Sequence, residues 1–249
     1  MTQNNMNLAS SNLSNSKKVS TGNKSLDYYL SGGYESGIIT TIFGPSGSGK
    51  TNLALLAAVR MAESGKKVVI IDTEGGIAVE RIIQLLENQF GKEDVLSRIL
   101  FFQPLNFKDQ EMVFNRFSDI DWSDVGMLVV DSISMLYRLE LGKADAIFET
   151  NSSLGRQIAA SVELARRKKI PVLMTNQVYS DFGKNDGVKM VGGDLLKYGS
   201  KCLIELQKGE GVRALFLRKH RSLLREKEFV FRIVSEGVQE VVNDVFEND

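Results

Sequence analysis

The stretch Gly44-Pro45-Ser46-Gly47-Ser48-Gly49-Lys50-Thr51 places a lysine and a threonine directly after a glycine-rich turn. That is chemistry for phosphate. Without side chains in the way, successive backbone N–H groups and a helix N-terminus can face an anion, while Lys50 reaches the β and γ phosphates and Thr51 ligates magnesium. A glycine-rich turn before a helix would explain the glycines but not the Lys-Thr pair. Three other stretches end an apolar run in polar groups. Met127-Leu128-Val129-Val130-Asp131 ends in a carboxylate suited to the magnesium shell, although a helix-capping Asp would look the same in isolation. Ile70-Ile71-Asp72-Thr73-Glu74 sets Glu74 where it could polarise an attacking water. Val172-Leu173-Met174-Thr175-Asn176-Gln177 ends in amides that can sense a γ-phosphate by hydrogen bonding, or merely satisfy loop backbone.

These groups need a scaffold that gathers strand ends. The chain alternates β-branched runs with helix-period stretches. Strands are expected at 38–43, 68–72, 99–103, 127–131 and 172–175, and helices at 51–63, 78–90, 109–117 and 148–168. The 78–90 helix is expected to show Val79, Ile82, Ile83, Leu86 and Phe90 on one face. Such alternation means βαβ units and a mostly parallel sheet with helices on both faces, whose ligands sit at the C-terminal strand ends. After Leu195 come short strands with tight links, 202–207, 214–217, 229–233 and 239–242, expected as an antiparallel C-terminal extension of the same sheet. Residues 1–18, rich in Asn and Ser, are expected to be a disordered tail, and 19–249 a single α/β core domain. Leu30-Ser31-Gly32-Gly33 precedes the phosphate loop and continues into Tyr34, so it is expected to be a turn and not a transporter-type signature.

Composition narrows the class. The chain has 249 residues, 43% hydrophobic and 25% charged, with 31 basic and 31 acidic residues. A chain of this size buries roughly 70 to 75% of its unfolded surface and needs no metal or disulfide staple. Cys202 is the single cysteine, which excludes an internal disulfide and a cysteine-based zinc site. No apolar run approaches a membrane span, so a cytoplasmic location without membrane association is expected. Zero net charge excludes a polyanion-coated scaffold but not a local basic face.

The order and spacing of Ser20-Thr21-Gly22 with Leu26-Asp27, the phosphate loop, Asp72-Thr73-Glu74-Gly75 with Glu80-Arg81, Val130-Asp131-Ser132, Thr175-Asn176-Gln177-Val178 and Gly192-Gly193 resemble the RecA/RadA recombinase core, over residues 19–245. The N-terminal helical domain of the recombinases has no counterpart in this sequence, which places the resemblance with the short archaeal RadA paralogues. The resemblance implies a RecA-type ATPase fold, ATP and magnesium as cofactors, Glu74 as catalytic carboxylate, Gln177 as γ-phosphate sensor linked to a DNA loop, and Arg81 stacked on adenine. It makes 138–153 the first DNA-facing loop and 179–193 the second, where Lys184 and Lys189 would contact phosphates. Two family features are missing. Residues 1–42 contain no Phe for a subunit-docking segment, and Lys219-His220-Arg221-Ser222 stands where the family has an Asp-Ser-Pro cap.

From Lys208 to Arg232 eight basic residues face three acids, which suggests a polynucleotide- or partner-binding face including Arg218, Lys219 and Arg221, or a strand edge protected by charge. His220, the single histidine, is expected to be a satisfied structural residue. Arg166 to Lys169 suit a helix C-terminus. The implied function is an accessory protein of homologous recombination and DNA repair, binding ATP and single-stranded or branched DNA with weak ATP hydrolysis. A RadA-type recombinase or a junction resolvase would be its protein partner, and a weak homo-oligomer stays open. A RecA-superfamily signalling ATPase acting through protein partners, or a P-loop kinase, is the alternative.

Overall fold

The structure is a computed structural model that describes residues 17–86, 91–142, 147–180, 188–223 and 228–242. The Asn/Ser-rich stretch 1–16 lies outside the described residues. Strands β1 (Lys18–Val19) and β2 (Tyr34–Glu35) pair antiparallel and flank helix α1 (Lys24–Tyr29). There follow β3 (Ile39–Gly44), α2 (Lys50–Glu63), β4 (Lys67–Asp72), α3 (Val79–Leu85), α4 (Lys92–Ser97), β5 (Ile99–Phe102), α5 (Phe107–Asn115) and β6 (Val125–Asp131). The second half holds α6 (Met135–Leu141), α7 (Ile147–Lys168), β7 (Val172–Ser180), β8 (Val188–Met190), α8 (Gly193–Gly199), β9 (Cys202–Lys208), β10 (Arg213–Lys219), β11 (Glu228–Val234) and β12 (Gly237–Glu240).

The large sheet has the order β12-β11-β10-β9-β3-β7-β6-β4-β5, with β8 paired to β7. Strands from β9 to β5 run parallel, and β10, β11 and β12 continue antiparallel. The α/β class and the antiparallel extension are as expected from the sequence, with one difference. Strand β9 pairs parallel with β3, Thr40 opposite Cys202, so the parallel sheet reaches one strand further than the short connections suggested.

Both faces of the central parallel strands are buried, and period-two alternation divides their side chains between two cores. Ile42, Val68, Ile70, Met127, Val129 and Leu173 join the core under α1 to α4. Ile39, Val69, Ile71, Leu128, Val130, Val172 and Met174 join the core under α5 to α8. Helix α2 packs deepest. Its run Leu53-Ala54-Leu55-Leu56-Ala57-Ala58-Val59 is buried all round, and these residue types are mostly strong helix formers. Its position over the middle of the sheet brings the phosphate loop to the C-terminal edge of β3.

Helix α3 spans Val79–Leu85 with 87–90 outside the described residues, and its expected apolar face is only half used. Ile82 and Leu86 are buried, whereas Val79 and Ile83 are solvent-exposed and Phe90 lies outside the described residues. A second short helix, α4, was hidden in the sequence because only Val95 of its six residues is buried, leaving no periodic signal. The segment expected as a first loop, 138–153, is largely helical, with α6 running to Leu141 and α7 starting at Ile147. The Gly32-Gly33 segment is a turn, as expected. Gly33 has φ +100°, and a Cβ there would meet Val19 O at 2.1 Å.

Candidate nucleotide site and its link to the second loop

The phosphate loop joins β3 to α2, and its shape depends on two glycines. At Gly44 a Cβ would come within 2.3 Å of Leu206 O on β9, so the loop leaves the sheet where only glycine fits. Gly49 is the residue before α2 and has φ +99°, in the left-handed region. The backbone thus turns sharply enough to aim the first N–H groups of a 14-residue helix at one point. Lys50 is buried, and its Nζ donates to Gly44 O at 2.9 Å and Pro45 O at 2.8 Å. Burial pushes its pKa down, while Glu74 and Asp131 pull it back up. An ammonium held between its own loop carbonyls and two nearby carboxylates is a pre-positioned charge for an anion.

Thr51 Oγ1 donates to Asp131 Oδ2 at 2.8 Å, and Thr175 Oγ1 donates to Asp131 Oδ1. Three elements, α2, β6 and β7, therefore converge on one carboxylate. Asp131 is buried, and desolvation raises its pKa against the lowering effect of these two hydroxyls, with Glu74 and Asp72 adding to the rise. A buried carboxylate next to a threonine hydroxyl is a hard-oxygen donor set, the type that magnesium takes alongside water and phosphate oxygens. Ser48 Oγ is also buried beside the loop without a hydrogen-bond partner in the described structure, a polar atom available to a ligand. The residues present therefore fit a magnesium nucleotide. Among the described residues no cluster of three His, Cys, Asp or Glu side chains could hold a metal by itself.

Glu74 follows β4 in a turn organised by Asp72. Asp72 Oδ1 accepts from Glu74 N at 3.2 Å and Gly75 N at 2.8 Å, and Oδ2 from Ile77 N at 3.3 Å. Gln177 is not beyond its strand, as the sequence suggested, but inside β7, which runs nine residues. It sits opposite Gly44 in register, and its Nε2 donates to Glu74 Oε1 at 2.9 Å. The same stretch holds the return of the second loop. Val191 N donates to Gln177 O at 3.1 Å, Asn176 Nδ2 donates to Val191 O at 2.9 Å, and β8 pairs with β7 through Tyr179 opposite Lys189. The described ends of the second loop, β7 and β8, are therefore paired antiparallel and start at the phosphate-loop edge, with 181–187 outside the described residues. Lys184 lies outside the described residues, and Lys189 is placed by its backbone in β8.

Arg81 lies beside α2, with its Nε donating to Asn52 Oδ1 at 2.8 Å and its other nitrogens to Gln84, Val234 O and Ser235 O at 2.9–3.0 Å. These bonds use the edges of the guanidinium and hold its plane next to the residue that follows Thr51.

The basic segment divides. Strand β10 runs antiparallel to β9, so Lys219 is opposite Leu203 and Arg213 opposite Lys208. Lys219 is thus level with Thr41, about 10 Å of strand before Gly44, and Arg221 lies further toward the N-terminal edge. Arg218 pairs with Glu205 and lies over the Phe216 ring at 4.8 Å. Arg221 pairs with the buried Glu35, and Lys219 Nζ donates to Lys197 O and Ser200 O. The His220 side chain is buried beside them. Its Nδ1 accepts from Ser222 N and Leu223 N at 3.1 Å, and its Nε2 lies 3.7 Å from Glu35 Oε2. The structural role expected for His220 matches this placement. Arg218, Lys219 and Arg221, taken from sequence as DNA contacts, do not share an edge of the sheet with the second loop, and two of them carry compensated charge. The eight-to-three count missed this because Glu35 and Glu205 lie outside the counted segment.

Asn52 was not singled out in the sequence, and Asp72 and Thr175 stood there within motifs without a role of their own. The hydroxyl at Thr175 stands directly before Asn176-Gln177, and strand-end placement is the signal that could have found it.

No helix among the described residues is long and apolar enough to cross a membrane. The Rad51 family model matches residues 13–241. The chain is 38% identical over 238 residues to the DNA repair and recombination protein RadB of Methanobrevibacter smithii, covering 91% of this chain and 97% of that one. It is 41% identical over 222 residues to the protein of the same name from Methanothermobacter thermautotrophicus, covering 86% and 92%. A crystal structure of the RadB recombinase superposes with TM-score 0.75 at 37% identity, covering 90% of this chain and all of that one. A RecA-type site on a matching fold, over nearly the whole length of these relatives, means that the chain belongs to the Rad51 family and, within it, to the archaeal RadB group.

Proposed function

We propose that this protein is an ATP- and DNA-binding accessory factor of homologous recombination and repair, in which slow ATP hydrolysis works as a switch and not as the motor of strand exchange. The observation that carries the proposal is the contact of Gln177 with Glu74 at the edge where β7 opens into the second loop. Lys50 and the N–H groups ahead of α2 would hold the phosphates, and Thr51 with Asp131 would hold magnesium, which would supply charge stabilisation on the phosphate oxygens. Glu74, whose Oε1 accepts from Gln177 Nε2, would be the carboxylate that takes a proton from water. Asp72 orients that carboxylate by fixing the turn, and the plane of Arg81 offers a stacking surface for the base.

DNA contacts are assigned to Lys184 and Lys189 of the second loop, because the strands that carry it, β7 and β8, start at the nucleotide edge. Hydrolysis is slow in this proposal because the Asp-Ser-Pro cap is replaced by Lys219-His220-Arg221, which the structure uses to tie β10 to β2 and α8. The protein would act in the cytoplasm with a RadA-type recombinase or a junction resolvase as partner. Calorimetry with magnesium-ATP tests the site. Lys50→Ala should weaken binding about 10- to 100-fold, as expected for loss of a charge-assisted contact, and Thr51→Ala should remove most of its magnesium dependence. Unchanged affinity in both variants would contradict the assignment.

A further inference from the structure

Arg213 opens β10, opposite Lys208 of β9 and Phe231 of β11, at the same sheet edge as the phosphate loop. Its stem packs against that loop. A Cβ built on Gly49 would lie 3.6 Å from Arg213 Cδ and 3.1 Å from Ile233 Cδ1. Arg213 Nε is buried and has no hydrogen-bond partner among the described residues, and no carboxylate of the described residues pairs with this guanidinium. The contrast with its neighbours is sharp. Arg218 has Glu205, Arg221 has Glu35, and Arg81 has four acceptors. Leaving an arginine partly buried and unpaired is costly unless an anion completes it. The group next to it is the N-terminal turn of α2, itself built to attract an anion.

The flank matters. Glu74, Asp131 and Gln177 reach the loop from β4, β6 and β7, on one side of β3, whereas Arg213 reaches it from β10, beyond β9 on the other side. We propose that Arg213 is a second cationic contact for the bound nucleotide and holds the phosphates that ATP and ADP share, leaving the γ-phosphate to Lys50, Glu74 and Gln177. This rests on the nucleotide site proposed above. Arg213 thereby sets how tightly either nucleotide is held, without reading which one it is. Ile233 supplies the apolar wall that desolvates the contact.

The test compares dissociation constants for magnesium-ATP and magnesium-ADP by calorimetry in the unmodified protein, Arg213→Met, Arg213→Lys and Lys50→Ala, with thermal midpoints of the unliganded proteins. Arg213→Met keeps an aliphatic stem beside Gly49. It should weaken ATP and ADP alike, about 10- to 100-fold as for a lost charge-assisted bond, without lowering the unliganded midpoint, and Arg213→Lys should recover part of the loss. If Lys50→Ala loses nucleotide while Arg213→Met binds normally, this inference is overturned and the site stands. If Arg213→Met affects ATP only, or lowers the unliganded midpoint with Arg213→Lys recovering nothing, Arg213 does not do what is proposed. Normal binding in both Lys50→Ala and Arg213→Met would overturn the site and this inference together.

Discussion

Gln177 and Glu74, 103 residues apart in sequence, share a hydrogen bond of 2.9 Å across the edge of the sheet. One belongs to the strand that becomes the second loop, the other to the turn organised by Asp72. In the proposed switch, a change in what Glu74 bonds to would reach β7 through a single side chain.

Replacing that carboxylate separates chemistry from binding. Glu74→Gln should lower the residual ATP turnover by about 10²- to 10⁴-fold, the usual contribution of a positioned general base, with magnesium-ATP affinity close to normal. Single-turnover phosphate release checks this, and equal rates in both proteins would remove Glu74 from the mechanism.

The three-way junction on Asp131 should carry stability as well as magnesium affinity. Thr175→Val keeps the shape of the side chain but leaves Asp131 Oδ1 without its hydroxyl donor in the interior. A loss of about 1–3 kcal/mol is expected, as for a buried acceptor left unsatisfied. Urea unfolding without nucleotide measures it, and a loss within error would mean that solvent reaches Asp131.

Arg221 and the second-loop lysines should fail in different ways. Arg221→Ala removes the guanidinium paired with buried Glu35 and should cost on the order of 1–3 kcal/mol, with the salt dependence of DNA binding intact. Glu35→Gln in the same chain should restore part of that stability. Reversing Lys184 and Lys189 to Glu should instead leave unfolding unchanged and weaken DNA binding for all sequences. If about four phosphates are contacted, log affinity falls with log salt at a slope of roughly −3 to −4, and losing two contacts reduces the slope by about 2. A slope that changes with Arg221 and not with the lysines would move the DNA face to the other end of the sheet.

The buried His220 gives a pH dependence of known sign. Burial lowers its pKa from the ordinary 6.5, Glu35 opposes that, and Lys18 and Arg221 reinforce it. The folded protein therefore favours neutral imidazole, and below about pH 6.5 the unfolded chain takes up the proton first. This contribution to stability is present above pH 6.5 and is lost as pH falls toward the folded-state value. His220→Gln should flatten the fall in thermal midpoint over that acidic window, and an equally steep fall in the variant would assign it to other groups.

The phosphate loop was legible because its chemistry requires a contiguous run, and the parallel sheet was legible because strands buried on both faces read as unbroken apolar runs. Contacts between distant strands left no such trace. Nothing near Arg221 in sequence points to Glu35, which is 186 residues away, and its pairing turned an apparent basic face into a structural tie. Arg213 looked like one more cation in a charged segment until the order β10-β9-β3 set it beside Gly49. Helix α3 uses only part of its expected apolar face because Val79 and Ile83, apolar at helical spacing, face solvent.

The proposed switch couples the nucleotide site and the second loop through Gln177. It is tested most directly by DNA-binding isotherms at fixed salt with magnesium-ATP, with magnesium-ADP and without nucleotide, for the unmodified protein and for Gln177→Ala. A γ-phosphate contact shifts the loop only as far as it discriminates between two loop states. Unequal DNA affinities with ATP and ADP are expected in the unmodified protein, with the difference largely erased in Gln177→Ala although both nucleotides still bind. Equal affinities under all three conditions in the unmodified protein would contradict it.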